Sequence, residues 1–313
     1  MDIVRDGHIT IGDPLLDIDL RGLERAHIDG STFLYATTGA NGGVIAYEIA
    51  EDGSVATVSS TQHFGNGGTV GTTEFVSCVE IDGEVQIVYG GSSAPNLLGF
   101  VVKDDGSLGG RRKSVDLSTD STDVTDVVST TIGTTQTLIV ADNATGKIRS
   151  YVLQDDTYVE TGGAKSLEGP AQLTVADSGE TTFVVAADSG GQAVVVYRVN
   201  ANGSLSETDR FGAAEGLGIQ NPNAIETINA HGETWVIVGA SHSSSLSVMR
   251  LQPDGSLEVT DHAVDTLHTR FGDLQSLSVV SVADWVFVVA GRAAHDAAEP
   301  RLLHGRGLHG PDQ

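Results

Sequence analysis

The chain of 313 residues is 39% hydrophobic, with enough Val, Ile and Leu to bury a core, which excludes a mostly disordered polypeptide. Its formal net charge is −25, and only four of its 17 basic residues are lysines, so the surface should repel nucleic acid and anionic membranes. The single cysteine, Cys78, excludes intramolecular disulfides and thiolate metal sites, and no apolar run is long enough to span a bilayer as a helix.

The first residues, "MDIVRDGHITIG", lack the basic and then apolar pattern of a signal peptide. Two locations follow as expectations: the cytoplasm, or export by a route that uses no cleaved leader. Within this segment "RDGHITIG" (5–12) reads as the turn and last strand of a repeat whose first three strands are missing.

Six apolar runs then recur at intervals of roughly 50 residues: "TFLYATTG" (32–39), "VQIVYGG" (85–91), "QTLIVADN" (136–143), "TFVVAADS" (182–189), "TWVIVGAS" (234–241) and "WVFVVAG" (285–291). Before each lies another apolar stretch and a tight-turn pair: Asp29-Gly30, Asp82-Gly83, Ile132-Gly133, Ser178-Gly179, His231-Gly232 and the degenerate Ala283-Asp284. After each come a polar loop and an alternating strand, such as "GVIAYEI" (43–49), "AVVVYRV" (193–199) and "SLSVMRL" (245–251). A second turn closes the unit: "EDGSVATV" (51–58), "DDGSLGG" (104–110), "NANGSLSET" (200–208), "QPDGSLEVT" (252–260). Asp or Asn followed by Gly reverses the backbone there, because glycine takes positive φ at little steric cost.

Four short strands per repeat without a helical period predict an all-β fold, a β-propeller of four-stranded antiparallel blades. Six repeats are counted, with a seven-bladed ring as the alternative. Strands stacked between neighbouring blades are buried on both faces, which accounts for runs that are apolar throughout. Small residues near the ends of these runs, among them Ala36, Gly90, Ala141, Ala187 and Gly239, would let blades approach closely. The predicted domain is 1–291, with residues 1–20 closing the last blade so that no sheet edge is left open.

The tail, residues 292–313, contains no Val, Ile, Ser, Thr or aromatic residue, and Pro300 interrupts the region of an expected third strand. A flexible tail and a shifted or truncated continuation are both compatible with it.

Chemistry is sparse. His262 and His268, flanked by Asp261 and Asp265, are placed in the connection between the fifth and sixth repeats, where metal binding or acid/base work is conceivable; a solvated loop is the alternative. Asp116, Asp120, Asp123 and Asp126 lie among hydroxyl residues in "DLSTDSTDVTD" (116–126), a hard-oxygen surface for calcium or simply a solvated acidic connection. "FGNGGTVG" (64–71) has no following helix and no lysine, so it reads as a loop rather than a phosphate cradle. "NAT" (143–145) and "NGS" (202–204) fit the glycosylation rule but are explained by turn chemistry. No G-x-S-x-G motif occurs.

Two resemblances rest on these repeats. The unit "FVVAADSGGQAVVVYRVNANGSLSET" (183–208) resembles blades found upstream of haemolysin-type, RTX-like calcium-binding repeats. That resemblance implies an exported bacterial protein and an extracellular location. Calcium stays an open expectation as cofactor, since the G-G-x-G-x-D nonapeptides that hold it in that family are missing. The stretch "GPAQLTVADSGETTFVVAADSGGQAVVVYRV" (169–199) is similar to blades of lactonase-like, 6-phosphogluconolactonase-type propellers. The sequence-level expectation is a noncatalytic acidic platform that binds a protein, glycan or small-molecule ligand, and not nucleic acid. A lactonase-like hydrolase with its site at the channel mouth is the alternative.

Overall fold

The computed structural model describes residues 11–17, 20–38, 42–49, 55–64, 75–81, 83–90, 96–116, 123–155, 157–266, 272–282 and 285–292. The chain divides into two compact units, Met1–Ala164 and Lys165–Gln313.

The first unit holds three four-stranded antiparallel sheets. Sheet 1 is β1 (Leu20–Ile28), β2 (Ser31–Thr38), β3 (Gly43–Ile49) and β4 (Val55–His63). Sheet 2 is β5 (Phe75–Ile81), β6 (Glu84–Gly90), β7 (Asn96–Val102) and β8 (Leu108–Asp116). Sheet 3 is β9 (Val124–Ile132), β10 (Thr135–Asp142), β11 (Lys147–Gln154) and β12 (Thr157–Ser166). In the second unit, sheet 4 is β13 (Ala171–Ser178), β14 (Thr181–Asp188), β15 (Ala193–Val199) and β16 (Leu205–Gly212). Sheet 5 is β17 (Pro222–Ala230), β18 (Glu233–Ala240), β19 (Ser245–Leu251) and β20 (Leu257–Val264). A sixth sheet has two strands, β21 (Leu274–Val282) and β22 (Trp285–Arg292).

Strands pair in chain order within every sheet, and each of the six apolar runs is a second strand. In sheet 4, β14 and β15 are buried almost end to end, whereas β16 is mostly accessible. First strands meet from sheet to sheet within each unit, β1 with β5 and β5 with β9, then β13 with β17 and β17 with β21. This is blade architecture: the inner strands stand together and the fourth strands face outward.

The core therefore lies between sheets. Phe33, Tyr35 and Val44 of sheet 1 pack on Ile87, Tyr89 and Phe100 of sheet 2, and Phe183, Val185 and Val194 of sheet 4 pack on Val236, Val238 and Met249 of sheet 5. A side chain at Gly239 would collide with Leu274 of the sixth sheet, which bears out the expected close approach of small residues at that position.

The described residues form five four-stranded sheets and one two-stranded sheet, not six or seven complete blades. Residues 293–313, which follow the two strands of the sixth sheet, lie outside the described residues. No strand closure is shown either. Residues 1–10 lie outside the described residues, 11–17 form a turn, and Leu20 already opens β1. That turn is anchored on sheet 1. Asp17 accepts hydrogen bonds from the amides of Ile11 (2.6 Å) and Gly12 (2.9 Å), and Leu16 packs beside Ala36 and Ile45.

The first hairpins use two kinds of turn. Asp29-Gly30 and His231-Gly232 have positive φ at both residues, as the sequence pairs predict. In sheets 3 and 4 the pairing of Ile132 with Thr135, and of Ser178 with Thr181, puts the loop one residue later than expected, at Gly133-Thr134 and Gly179-Glu180. Glycine leads there because only the first loop residue takes positive φ.

The D-G-S turns between third and fourth strands repeat in atomic detail. Asp105, Asn202 and Asp254 each accept two hydrogen bonds through Oδ1, from the amide (3.0, 3.1 and 3.0 Å) and the hydroxyl (2.6, 2.7 and 2.7 Å) of Ser107, Ser204 and Ser256. These bonds hold the Asp105 and Asp254 carboxyls below the usual carboxylate range. The turns also reach the preceding sheet. A side chain at Gly106 would collide with Phe33, and one at Gly255 with Thr208 and Phe183. The Leu108 amide donates to Ser60 Oγ (2.7 Å), the Leu257 amide to Asp209 Oδ2 (2.7 Å), and Tyr35 donates to the Gly106 carbonyl (2.8 Å). The motif is thus a turn and an intersheet latch together.

Candidate functional site

At one end of each sheet lie the loops between second and third strands and the connections that enter first strands. In sheets 3 and 4 this end is organised by an aspartate at the last position of the second strand. Asp142 Oδ1 accepts from the amide and hydroxyl of Thr145 (both 2.9 Å), and its Oδ2 lies 3.4 Å from the Asp123 amide. Asp188, fully buried, accepts from the amides of Glu168 (3.0 and 3.1 Å) and Gly191 (3.1 Å). Burying a carboxylate is costly unless its oxygens are satisfied, and these amides supply that. One side chain therefore ties the outgoing loop to the incoming connection.

The connection and the loop touch backbone to backbone. A Cβ at Gly169 would stand 2.6 Å from the Gly190 nitrogen, and one at Gly190 would collide with the Glu168 carbonyl. A Cβ at Gly191 would lie 2.6 Å from Asp188 Oδ2. Only glycine fits so closely at these positions.

Arg210, near the end of β16, reaches into this cluster. Its Nη1 lies 3.4 Å from Asp188 Oδ2, and its Nε donates to Glu207 Oε1 at 3.2 Å. Burial opposes its charge, but the hydrogen bond and charge of Glu207, with Tyr197 and Asp188, outweigh that and raise its pKa. The result is a partly exposed guanidinium held between two carboxylates, beside the Glu168–Gly191 backbone. Chemically it can donate to an oxyanion or carbonyl oxygen, and Glu207, 41% exposed, can accept a proton from water.

In sheet 5 the second strand ends in Ala240, and hydroxyls take over. Asn221 Nδ2 donates to Ser241 Oγ (2.6 Å), the Gln220 amide donates to Ser243 Oγ (2.9 Å), and Ser245 donates to the Gly218 carbonyl (3.2 Å).

The predicted histidine site is only partly described. His262 and Asp261 lie within β20, the outer strand, rather than in the connection after it, because β20 runs on to Val264. His262 Nδ1 is 2.9 Å from Ser247 Oγ, and Asp261 Oδ1 accepts from the His262 amide (2.8 Å). Ser247 is fully buried, so this pair has no reachable nucleophile. Asp265 donates its amide to the Ser244 carbonyl (2.8 Å), and His268 lies outside the described residues.

Of the four aspartates proposed for calcium, Asp116 ends β8, Asp120 lies outside the described residues, and Asp123 and Asp126 flank the start of β9. Asp123 Oδ2 accepts from Asn143 Nδ2 (2.9 Å), and Asp126 Oδ1 from Ser77 Oγ (3.0 Å). Among the described residues no group of three His, Cys, Asp or Glu side chains could hold a metal ion. In the glycine-rich segment Phe64 is buried against Tyr89, and residues 65–71 lie outside the described residues. No described helix is long and apolar enough to cross a membrane.

Asp188 and Arg210 escaped the sequence reading. The signal was present in "TFVVAADS" and "QTLIVADN": two apolar runs that end in the same acid.

No protein-family model and no curated protein matches this sequence. Solved structures do. A periplasmic gluconolactonase from Pseudomonas aeruginosa shares 14% identity over 92% of this chain and 84% of its own, with a TM-score of 0.60. A provisionally named 6-phosphogluconolactonase from Bacteroides uniformis shares 13% identity over 90% and 83%, TM-score 0.60. A second such protein, from Bacteroides fragilis, shares 14% over 90% and 82%, TM-score 0.59. What these matches share with this chain is the β-propeller fold. Of the two resemblances read from the sequence, the lactonase-like one is therefore borne out at the level of fold, and the RTX-like one gains no support. Within each sheet the strands follow chain order, so the recurring D-G-S-L rhythm marks blade construction.

Proposed function

We propose that the protein is a lactonase-type hydrolase that opens a small polar lactone at the loop end of its fourth sheet. The supporting observation is the Asp188–Arg210–Glu207 arrangement, in which a buried carboxylate and an exposed one hold a guanidinium beside a backbone cradle. The fold shared with a gluconolactonase and two provisional 6-phosphogluconolactonases points to the same chemistry.

In this reading Glu207 takes a proton from water as the water oxygen bonds to the lactone carbonyl carbon. Arg210 stabilises the tetrahedral oxyanion. Collapse breaks the ring C–O bond, and the alkoxide takes up the proton, giving the hydroxy acid. With four lysines in the sequence and Arg210 already carrying two carboxylates, an unphosphorylated lactone suits the site better than a phosphate ester. A noncatalytic binding platform is the competing reading. Proton release measured across a panel of γ- and δ-lactones decides between them. Acceleration above buffer for at least one lactone is expected, and none across the panel would replace the hydrolase with the platform.

A further inference from the structure

Among the described residues, three sister turns contain two aspartates and one asparagine, and the odd one is chemically distinctive. Asn202 is followed by Gly203, the pairing least able to shield an asparagine side chain from attack by the next backbone nitrogen. In that reaction the Gly203 nitrogen bonds to Asn202 Cγ and the Cγ–Nδ2 bond breaks. Ammonia leaves carrying the amide proton, and a succinimide remains. Water then adds across the ring, giving aspartate if the new Cγ–N bond opens, or isoaspartate if the original peptide bond to Gly203 opens.

The folded turn opposes the first step. The Gly203 amide is buried and donates to the Asn200 carbonyl at 2.8 Å, so the nucleophile is occupied. Asn202 Oδ1 is held by the Ser204 amide (3.1 Å) and hydroxyl (2.7 Å), which restrains the side chain from rotating. The Asn200 amide donates to the Ser204 carbonyl at 2.9 Å, closing the turn a second time. The product is a different matter. Asp105 and Asp254 make the same two bonds to Ser107 and Ser256, so an aspartate at 202 needs no new geometry. Isoaspartate inserts a methylene into the backbone of a turn whose Gly203 has φ of +79°, and it removes the side chain that holds Ser204.

We propose that Asn202 is a latent deamidation site, locked while its turn is closed, whose aspartate product is accepted by the fold and whose isoaspartate product is not. Peptide mapping by mass spectrometry, on the full-length protein incubated in mildly alkaline buffer with and without urea, tests the lock. Conversion at Asn202 is expected to be at least about tenfold slower in the folded protein, as for chemistry that requires local opening. Equal rates would overturn it. Asn202→Asp tests the second half: its melting temperature should stay within about 2 °C of the parent, whereas a loss of several degrees would refute acceptance of the product. Refolding the urea-aged sample should recover the molecules that carry aspartate and leave those that carry isoaspartate in the misfolded fraction. Their equal recovery would likewise count against the proposal.

Discussion

Replacing Gly255 by alanine should be far more damaging than replacing Gly232, although both residues have the same kind of backbone. Their φ values are +91° and +78°, and both sit in turns of sheet 5. An L-residue in that region costs about 1 kcal/mol in either place. The difference is what surrounds the new methyl group. Nothing lies within 4 Å of it at Gly232, while at Gly255 it collides with Thr208 and stands 2.7 Å from Cε1 of the fully buried Phe183. Forcing an extra methyl into a packed contact adds about 2 kcal/mol, giving about 3 kcal/mol for Gly255→Ala against about 1 for Gly232→Ala. At about 1.5 °C per kcal/mol for a protein of this size, melting temperatures should fall by about 5 °C and about 1.5 °C. Thermal melts followed by circular dichroism read this directly, and urea midpoints should keep the same order. Equal losses in the two variants would show that the D-G-S turn is only a turn, and that sheet 5 does not latch onto sheet 4 through it.

Three further outcomes follow from other parts of the molecule. The Cys78 thiol is pushed up to about 12 by burial and by Glu24, so it should resist alkylation in the native protein at neutral pH and react after unfolding; stoichiometric native labelling would contradict this. Because the folded protein keeps a proton that the unfolded polypeptide gives up above about pH 8.5, stability should fall as pH rises past that point, by at most about 1.4 kcal/mol per pH unit from this group, and Cys78→Ser should flatten that decline. Leu16→Ala should cost about 2–3 kcal/mol through the cavity left beside Ala36 and Ile45; an unchanged urea midpoint would mean that the 11–17 turn does not stabilise sheet 1. Asp188→Ala leaves the amides of Glu168 and Gly191 without their acceptor and the Arg210 guanidinium with Glu207 alone, and should lower stability by about 3 kcal/mol; a neutral result in denaturant titration would remove Asp188 as the tie between loop and connection.

The strands were legible because burial leaves a compositional trace. Residues 183–188 and 193–197 are covered on both faces, and a strand so placed must be apolar throughout. The turns were legible for a similar reason, since positive φ at Gly30, Gly203 or Gly255 restricts the residue choice locally. The intersheet contacts left no such trace. Gly106 meets Phe33, and Leu257 meets Asp209, across long stretches of sequence, so the same D-G-S-L letters announce a turn while concealing what it docks against. The candidate site was hidden in the same way. Asp188 looks like the first polar residue of a loop until Glu168, Gly191 and Arg210 are brought around it from three separate segments. His262 shows the opposite case: its flanking acids suggest an open connection, yet β20 runs past it to Val264 and its ring meets Ser247.

The hydrolase reading is tested most directly by proton release from gluconolactone, measured side by side for the parent protein and Arg210→Ala. Loss of the guanidinium should cut kcat/KM by about 100-fold or more, in a variant that still shows a cooperative melt, as expected for removal of an oxyanion donor. A parent protein that opens the lactone no faster than buffer, or an Arg210→Ala variant with undiminished activity, would contradict the account.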